Sequence, residues 1–394
     1  MFLRYTINFI KFLCITIFIL SGCFASMGNF DLINSFVVFS SIILISLVLL
    51  QVRFKLLLPF SLADKMYYLF LFIGLLSTIY LQVFGNFTAL LKYFLYYFVL
   101  VVLPLNVQDY KIYFKSFFSA GFITIFMDIF NISLGFTSRA GIFGNTNSRG
   151  VFYSTFTIFL VGLIFKYAKE HKKLKSLVLL TFATYTFYIS IITKSRTSFL
   201  SMLFVLSLLF LPHIYKVLTS KIFFKNAILK FILTGISLIG IGFLIYNLGL
   251  KELIQDNIIN KFDSTLDQGN VTSGRSDIWR YYLENSTWIG RPSKFWSNNI
   301  EFSAHNSFIQ ITAIYGYLSG ICFLAYWILN AITAIKYYFI EYYYNTKAIL
   351  LFVGVYIFII ISMAEEVTNS IPIYLSLLCI GYIRYSKSYK KKDD

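Results

Sequence analysis

The chain has 394 residues, 58% of them hydrophobic and only 13% charged, with a mean hydropathy of +0.74. This composition excludes a water-soluble globular domain and points to a polytopic membrane protein. A formal charge of +17 would suit a nucleic-acid binder, but the basic residues are spread over short loops between apolar runs, which argues against a nucleic-acid partner.

A bilayer core of about 30 Å needs roughly 20 helical residues per crossing. Apolar runs of that length fall near 6–27, 33–52, 66–84, 87–105, 112–134, 150–167, 175–193, 197–215, 228–249, 304–330, 347–363 and 370–385. They are continuously apolar rather than alternating, which argues against a membrane β-barrel. The expected fold is all-α: a polytopic transmembrane bundle of about twelve helices forming one integral membrane domain over 1–394, with a long loop at 250–303 between the ninth and tenth spans. Basic residues concentrate at Arg4 and Lys11 and in 53–65, 111–115, 166–175, 216–230, 336–347 and 384–392, accounting for 23 of the 34. The positive-inside rule makes that side, with both termini, cytoplasmic.

Arginine breaks this pattern. Arg139, Arg149, Arg196, Arg275, Arg280 and Arg291 all fall on the outward side, where neither basic residue is favoured for topology. A guanidinium differs from an ammonium in its planar fork, which grips phosphate in two places. Six outward arginines therefore imply an extracytoplasmic site for a phosphate-bearing substrate.

Taken in order, the first helix ends in Leu20-Ser21-Gly22-Cys23, which has the form of a lipoprotein cleavage site; with so many spans following, it is read as a decoy. Cys14, Cys23, Cys322 and Cys379 lie in or beside spans with no pairing pattern and read as packing residues. Lys92 and Asp128 lie about two turns below the outer surface in the fourth and fifth helices and are expected to pair, as a structural ion pair or a proton relay. The prolines at 59, 104, 212, 292 and 372 fall in loops or at span ends, so the broken mid-membrane helices of secondary transporters are not indicated. There is no P-loop and no GxGxxG, hence no nucleotide-handling motif and no implied cofactor.

Four outer segments carry candidate chemistry. In Gly135–Gly150, Arg139 and Arg149 flank a Gly/Asn-rich turn with Asn145 and Asn147 and no acidic residue; it is either an anion cradle or a flexible loop capped by Asn147 or Ser148. Lys194-Ser195-Arg196-Thr197-Ser198 opens the eighth span, where hydroxyls, free amides and a guanidinium could seat a phosphate, the alternative being an ordinary cap beside a snorkelling residue. The long loop opens with KELIQDNIINKF, an amphipathic helix by its spacing, followed by SGRSDIWRYYLE. There Arg280 has Asp277 and Glu284 at helical spacing and reads as neutralised, whereas Arg275 shares a face with Ile278, Trp279 and Tyr282 and has no acid at that spacing.

The fourth segment, Ala304-His305-Asn306-Ser307-Phe308, opens the tenth span, with Thr312, Gly316, Ser319 and Gly320 following as a small-residue stripe for close packing. His305 is the one outward histidine, and with no partner at ligand spacing a metal site is not expected. Glu365 and Glu366, at the outer end of the eleventh span, are further general-base candidates, though topology or an arginine partner would equally explain them.

GIFGNTNSRG, then SRTS, SGRSDIW, AHNSFIQ and YGYLSG, in this order and topology over residues 139–320, resemble the O-antigen polymerase and ligase superfamily of bacterial inner membranes. Thr146 stands where the family's FGNPN-like turn has proline, and the family's GxG near the loop's end is reduced to Gly290-Arg291. The resemblance implies a GT-C-like bundle and metal-independent glycosyl transfer on the outer face from an oligosaccharide on undecaprenyl pyrophosphate. On this reading Arg275 and Arg196 hold the pyrophosphate and His305 is catalytic. Arg139, Arg149, Asn145, Asn147, Asn306, Arg280 and Trp279 are candidate substrate contacts. A polymerase, which FGNTN and HNSFIQ favour, transfers the glycan to another lipid-linked repeat, in O-antigen or capsule synthesis, and the resemblance implies membrane lipid and a chain-length regulator as partners. A ligase would transfer it to lipopolysaccharide core, and an exporter of lipid-linked sugars would also want outward arginines, though not His305.

Overall fold

A computed structural model of the chain describes residues 2–24, 30–107, 109–133, 140–210, 255, 274–299, 303–341 and 347–393. The described residues are helical, with no strand among them. The helices are α1 (Phe2–Phe24), α2 (Phe30–Gln51), α3 (Leu62–Leu81), α4 (Phe84–Val107), α5 (Tyr110–Ser133), α6 (Thr146–Lys169), α7 (Lys173–Ile192), α8 (Arg196–Ser207), α9 (Arg275–Asn285), α10 (Ser293–Asn299), α11 (Ser307–Tyr315), α12 (Tyr317–Glu341), α13 (Ala348–Ser362) and α14 (Ile371–Asp393). Seven helices (α1, α3, α4, α5, α6, α7 and α12) are long and apolar enough to cross a membrane. The expected span at 228–249 and the amphipathic segment opening the long loop lie outside the described residues, apart from Gln255.

The packing follows from the sequence. Helix α14 begins IPIYLSLLCIGYI, apolar on every face, and a helix hydrophobic all round is a buried one. It is the hub, touching α1, α4, α5, α6, α12 and α13, and Ile373, Leu375, Leu377, Leu378 and Cys379 are fully buried in it. Outward sides keep large apolar groups in the open, among them Phe126 at 71% and Ile321 at 58% exposure. Such a surface in water would be an association patch; around a bundle it is the face that lipid covers.

Two sequence expectations change in the fold. The tenth span is two helices, because Gly316 takes a positive φ of 93° and ends α11 before α12 begins. The Gly316 to Gly320 spacing therefore does not make one helix-packing stripe. A Cβ on Gly316 would meet the Trp288 carbonyl oxygen at 2.1 Å, while one on Gly320 would meet Thr312 Oγ1 at 2.0 Å. The fourth span runs past Pro104 to Val107 through a π-helical turn, Phe98–Val102. Proline cannot donate to the ladder and crowds the carbonyl four residues back, so the turn widens there. The Leu100 carbonyl lies where Gly381 of α14 approaches, 2.8 Å from a Cβ built on that glycine.

At the lysine-rich end a buried charge network ties four helices. Asp64 closes the capping box of α3, accepting from the Ser61 amide at 2.9 Å. Its other oxygen accepts from Tyr97 of α4 at 2.9 Å and from Arg384 of α14 at 3.0 Å, and Arg384 also donates to Asn330 of α12 at 2.9 Å. Breaking a buried pair by removing one partner costs about 3–5 kcal/mol, whereas replacing both by apolar groups is often neutral. Asp64→Ala is therefore expected to lower the thermal midpoint in detergent sharply, and Asp64→Leu with Arg384→Met to recover most of the loss.

Candidate functional site

The starts of α6, α8, α9, α11 and α14 and the ends of α1, α5 and α13 meet at the other end of the bundle, where the candidate residues gather. At its centre is Glu365, in the turn between α13 and α14, 6% exposed. Its Oε1 accepts from Arg275 Nη2 at 2.9 Å, and its Oε2 faces His305 Nδ1 at 3.4 Å. Arg275 Nη1 also donates to the Ala364 carbonyl. Arg275 thus has a carboxylate after all: local spacing misses it because the acid lies 90 residues further on. Of the five guanidinium donors, these two bonds leave three. Arg196, at the start of α8, lies within electrostatic reach of Arg275.

His305 is held by its neighbours on both sides. Trp279 Nε1 donates to the Ala304 carbonyl at 2.6 Å. Asn306 caps α11, its Oδ1 accepting from the Phe308 and Ile309 amides at 3.0 and 3.1 Å while its Nδ2 donates to the Met363 carbonyl at 2.9 Å. Ser307 Oγ donates to the Glu365 carbonyl at 3.2 Å and accepts from the Val367 amide at 3.0 Å. Trp279 and Asn306 thus position the histidine. Between these anchors His305 adopts φ +47°, left-handed backbone that side chains with a Cβ disfavour.

A cavity of about 180 Å³ opens beside the histidine, and Asn145, Asn147, His305, Glu365 and Glu366 line it together with Cys23. Asn145 caps α6 through the Asn147 amide at 2.7 Å. Glu366 is reachable by water yet crowded by the cavity walls, and this desolvation raises its carboxyl above the ordinary value, with the His305 charge and the Thr368 hydroxyl pulling partly back. Burial, then the Glu366 charge, push the Tyr282 hydroxyl of α9 up to about 12.

Other candidates are placed elsewhere. Arg149 is 3% exposed and locked to Asp128 of α5, Nη2 at 2.7 Å and Nε at 3.0 Å from Oδ2, with Tyr153 donating to the same oxygen at 2.7 Å and the Ile142 amide to Oδ1 at 3.1 Å. Asp128 therefore pairs with Arg149 rather than with Lys92, and the turn's missing acid is supplied by a neighbouring helix. A Cβ on Gly141 would stand 2.1 Å from Asp128, so this turn closes only with glycine there. Ser195 and Ser198 are not free to seat a phosphate, since they are buried and bond to each other at 2.8 Å where α8 packs on α6. Arg280 is exposed with Asp277 and Glu284, without an ion pair to either. Arg291 braces the loop, donating from Nε to the Asn285 carbonyl at 2.6 Å. Arg139 lies outside the described residues.

Two stability measurements follow. A left-handed position accepts asparagine more readily than most residues, so His305→Asn is expected to fold at least as stably as the native chain in thermal melts. A carboxyl whose folded value is raised favours folding while protonated and loses that contribution as pH rises through the raised value. The thermal midpoint should therefore carry a component that declines with rising pH above the ordinary carboxylate value of 4.5, and Glu366→Gln should remove it. No protein-family model matches the chain, and no curated protein matches it.

Proposed function

We propose that this chain is a membrane glycosyltransferase that polymerises oligosaccharide repeat units, taking the glycan from undecaprenyl pyrophosphate and adding it to a hydroxyl of a second lipid-linked unit. The observation that carries this reading is the gathering of Arg275, His305 and the Glu365-Glu366 pair at one end of the bundle, with Arg196 within electrostatic reach of Arg275, from four distant segments. The sequence resemblance assigned three of these residues to donor binding and catalysis, and their proximity is what such an assignment requires. On this reading the bundle sits in the bacterial inner membrane with both termini in the cytoplasm and the arginine end facing outward.

The chemistry is a displacement at the anomeric carbon. The acceptor oxygen forms the new glycosidic bond, the sugar–phosphate bond breaks, and the electron pair leaves on the lipid pyrophosphate. His305 receives the acceptor proton at Nε2: with Nδ1 turned to Glu365, the carboxylate favours the tautomer that leaves the Nε2 lone pair free. Arg275 and Arg196 stabilise the charge that develops on the diphosphate, a fixed-dipole effect that is largest where water is excluded. Glu365 acts through Arg275 and His305 and is a positioning residue. The activated donor supplies the driving force, in keeping with the lack of a nucleotide motif.

Purified protein supplied with a lipid-linked repeat unit should yield a ladder of longer glycans. Transfer to lipopolysaccharide core in place of a ladder would make the chain a ligase. Arg275→Lys and Arg196→Lys keep charge but lose the fork, and each should lower the rate by about 100-fold. His305→Ala should fall by roughly 100-fold or more; wild-type rates in all three would leave the reading without support. Arg280→Cys should react with an impermeant thiol reagent on spheroplasts, and Lys55→Cys only after permeabilisation; the reverse pattern contradicts the orientation.

A further inference from the structure

The lysine-rich end holds a cleft that the proposed reaction does not use. It has a volume of about 650 Å³ and lies between α1, α5, α6, α7 and the start of α13. Lys111, Lys115, Lys166, Lys175 and Lys347 line it, and no carboxylate is among its lining residues. Glu170 lies nearby and is paired, taking Lys172 at 2.6 Å and Lys166 at 3.9 Å. Lys347 donates to the Tyr382 hydroxyl at 3.0 Å. An adjoining cavity shares Lys111 and Lys347 and adds Lys11 and Asp109.

Charge and apolar surface are graded along this cleft. On α5, Lys111, Phe114, Lys115 and Phe118 fall at i, i+3, i+4 and i+7, one face of a helix. At 1.5 Å rise per residue, Phe118 stands about 10 Å beyond Lys111. On α6, Leu163 lies one turn inward of Lys166, and on α7 Val178 lies one turn inward of Lys175. All three helices thus put ammonium groups at the mouth and apolar walls behind them.

We propose that this cleft binds an anionic phospholipid, with its phosphate among the lysines and an acyl chain along Phe118, Leu163 and Val178. A topology signal needs lysines only on the correct side of the membrane. Here lysines from four separate elements converge on one apolar cleft whose lining holds no carboxylate, a charge arrangement that a bound anion complements. Basic pockets between membrane helices recognise anionic headgroups on these grounds, and the volume lies within the range of about 300–1,000 Å³ typical of ligand sites. The site is independent of the glycosyl-transfer reading.

Native mass spectrometry of the full chain in detergent tests it, with phosphatidylglycerol, phosphatidylcholine and inorganic phosphate as probes. Phosphatidylglycerol should be retained in preference to phosphatidylcholine. The triple change Lys115→Gln, Lys166→Gln and Lys175→Gln should weaken retention by on the order of tenfold or more. Lys55→Gln with Lys65→Gln, outside the cleft, should leave retention unchanged. Val178→Trp fills the apolar wall without altering charge and should also weaken it. Equal loss from both lysine sets would overturn the proposal, as general attraction to the basic end would explain it. Displacement by millimolar inorganic phosphate, with Val178→Trp silent, would overturn it in favour of a plain anion seat. Thermal melts report whether each variant is folded; should the triple change unfold the chain, Lys→Arg at the same positions must keep the lipid and Val178→Trp must lose it.

Discussion

A carboxylate inside an apolar bundle has to be paired, because removing an ion from water costs several kcal/mol that only a close counter-charge and well-made hydrogen bonds offset. Asp64, Asp128 and Glu365 each meet this condition with an arginine, Arg384, Arg149 and Arg275 respectively. In each pair the partners come from different helices or turns, separated by 320, 21 and 90 residues. The three pairs therefore act as register pins, since a helix shifted by one turn would strand two charges at once.

The pairs differ in what remains available. Around Asp128, Arg149 makes two bonds and Tyr153 a third to one oxygen, and the group is shut away from solvent. Around Glu365 the arginine and histidine side chains stay 20% and 29% exposed. The first arrangement is a joint; the second leaves donors, an imidazole and a neighbouring carboxylate at the edge of a cavity. The left-handed backbone at His305 belongs to the second.

Much of the helical layout was legible because hydropathy and length alone define a span: the ends of α3, α6 and α7 fall within a few residues of expectation. Arg196 and Arg275 stood out in the sequence as arginines on the side where topology favours neither basic residue, and His305 stood out as the one outward histidine. Long-range pairing was not. Arg149 looked like an anion ligand because its own turn has no acid, while Asp128 reaches it from α5. Arg275 looked unaccompanied for the same reason, although Glu365 had stood out in the sequence with an arginine partner as one of its explanations. Gly316 was misread because a GxxxG spacing carries no sign of φ; the break appears only once the Trp288 carbonyl is seen against it.

The loop between α9 and α10 is sewn to the bundle. Ser77 of α3 donates to the Ile289 carbonyl, Arg291 donates its amide to the Ala313 carbonyl at 2.9 Å, Tyr317 donates its amide to the Thr287 carbonyl at 3.1 Å, and Gly290 lies against the α11–α12 break. Each hydrogen bond contributes about 1 kcal/mol, so swinging this segment aside as a hinged lid would forfeit about 3 kcal/mol and populate fewer than roughly one molecule in a hundred. Arg275 is therefore carried by a helix whose far end leads into a segment fastened to the bundle rather than into a swinging arm.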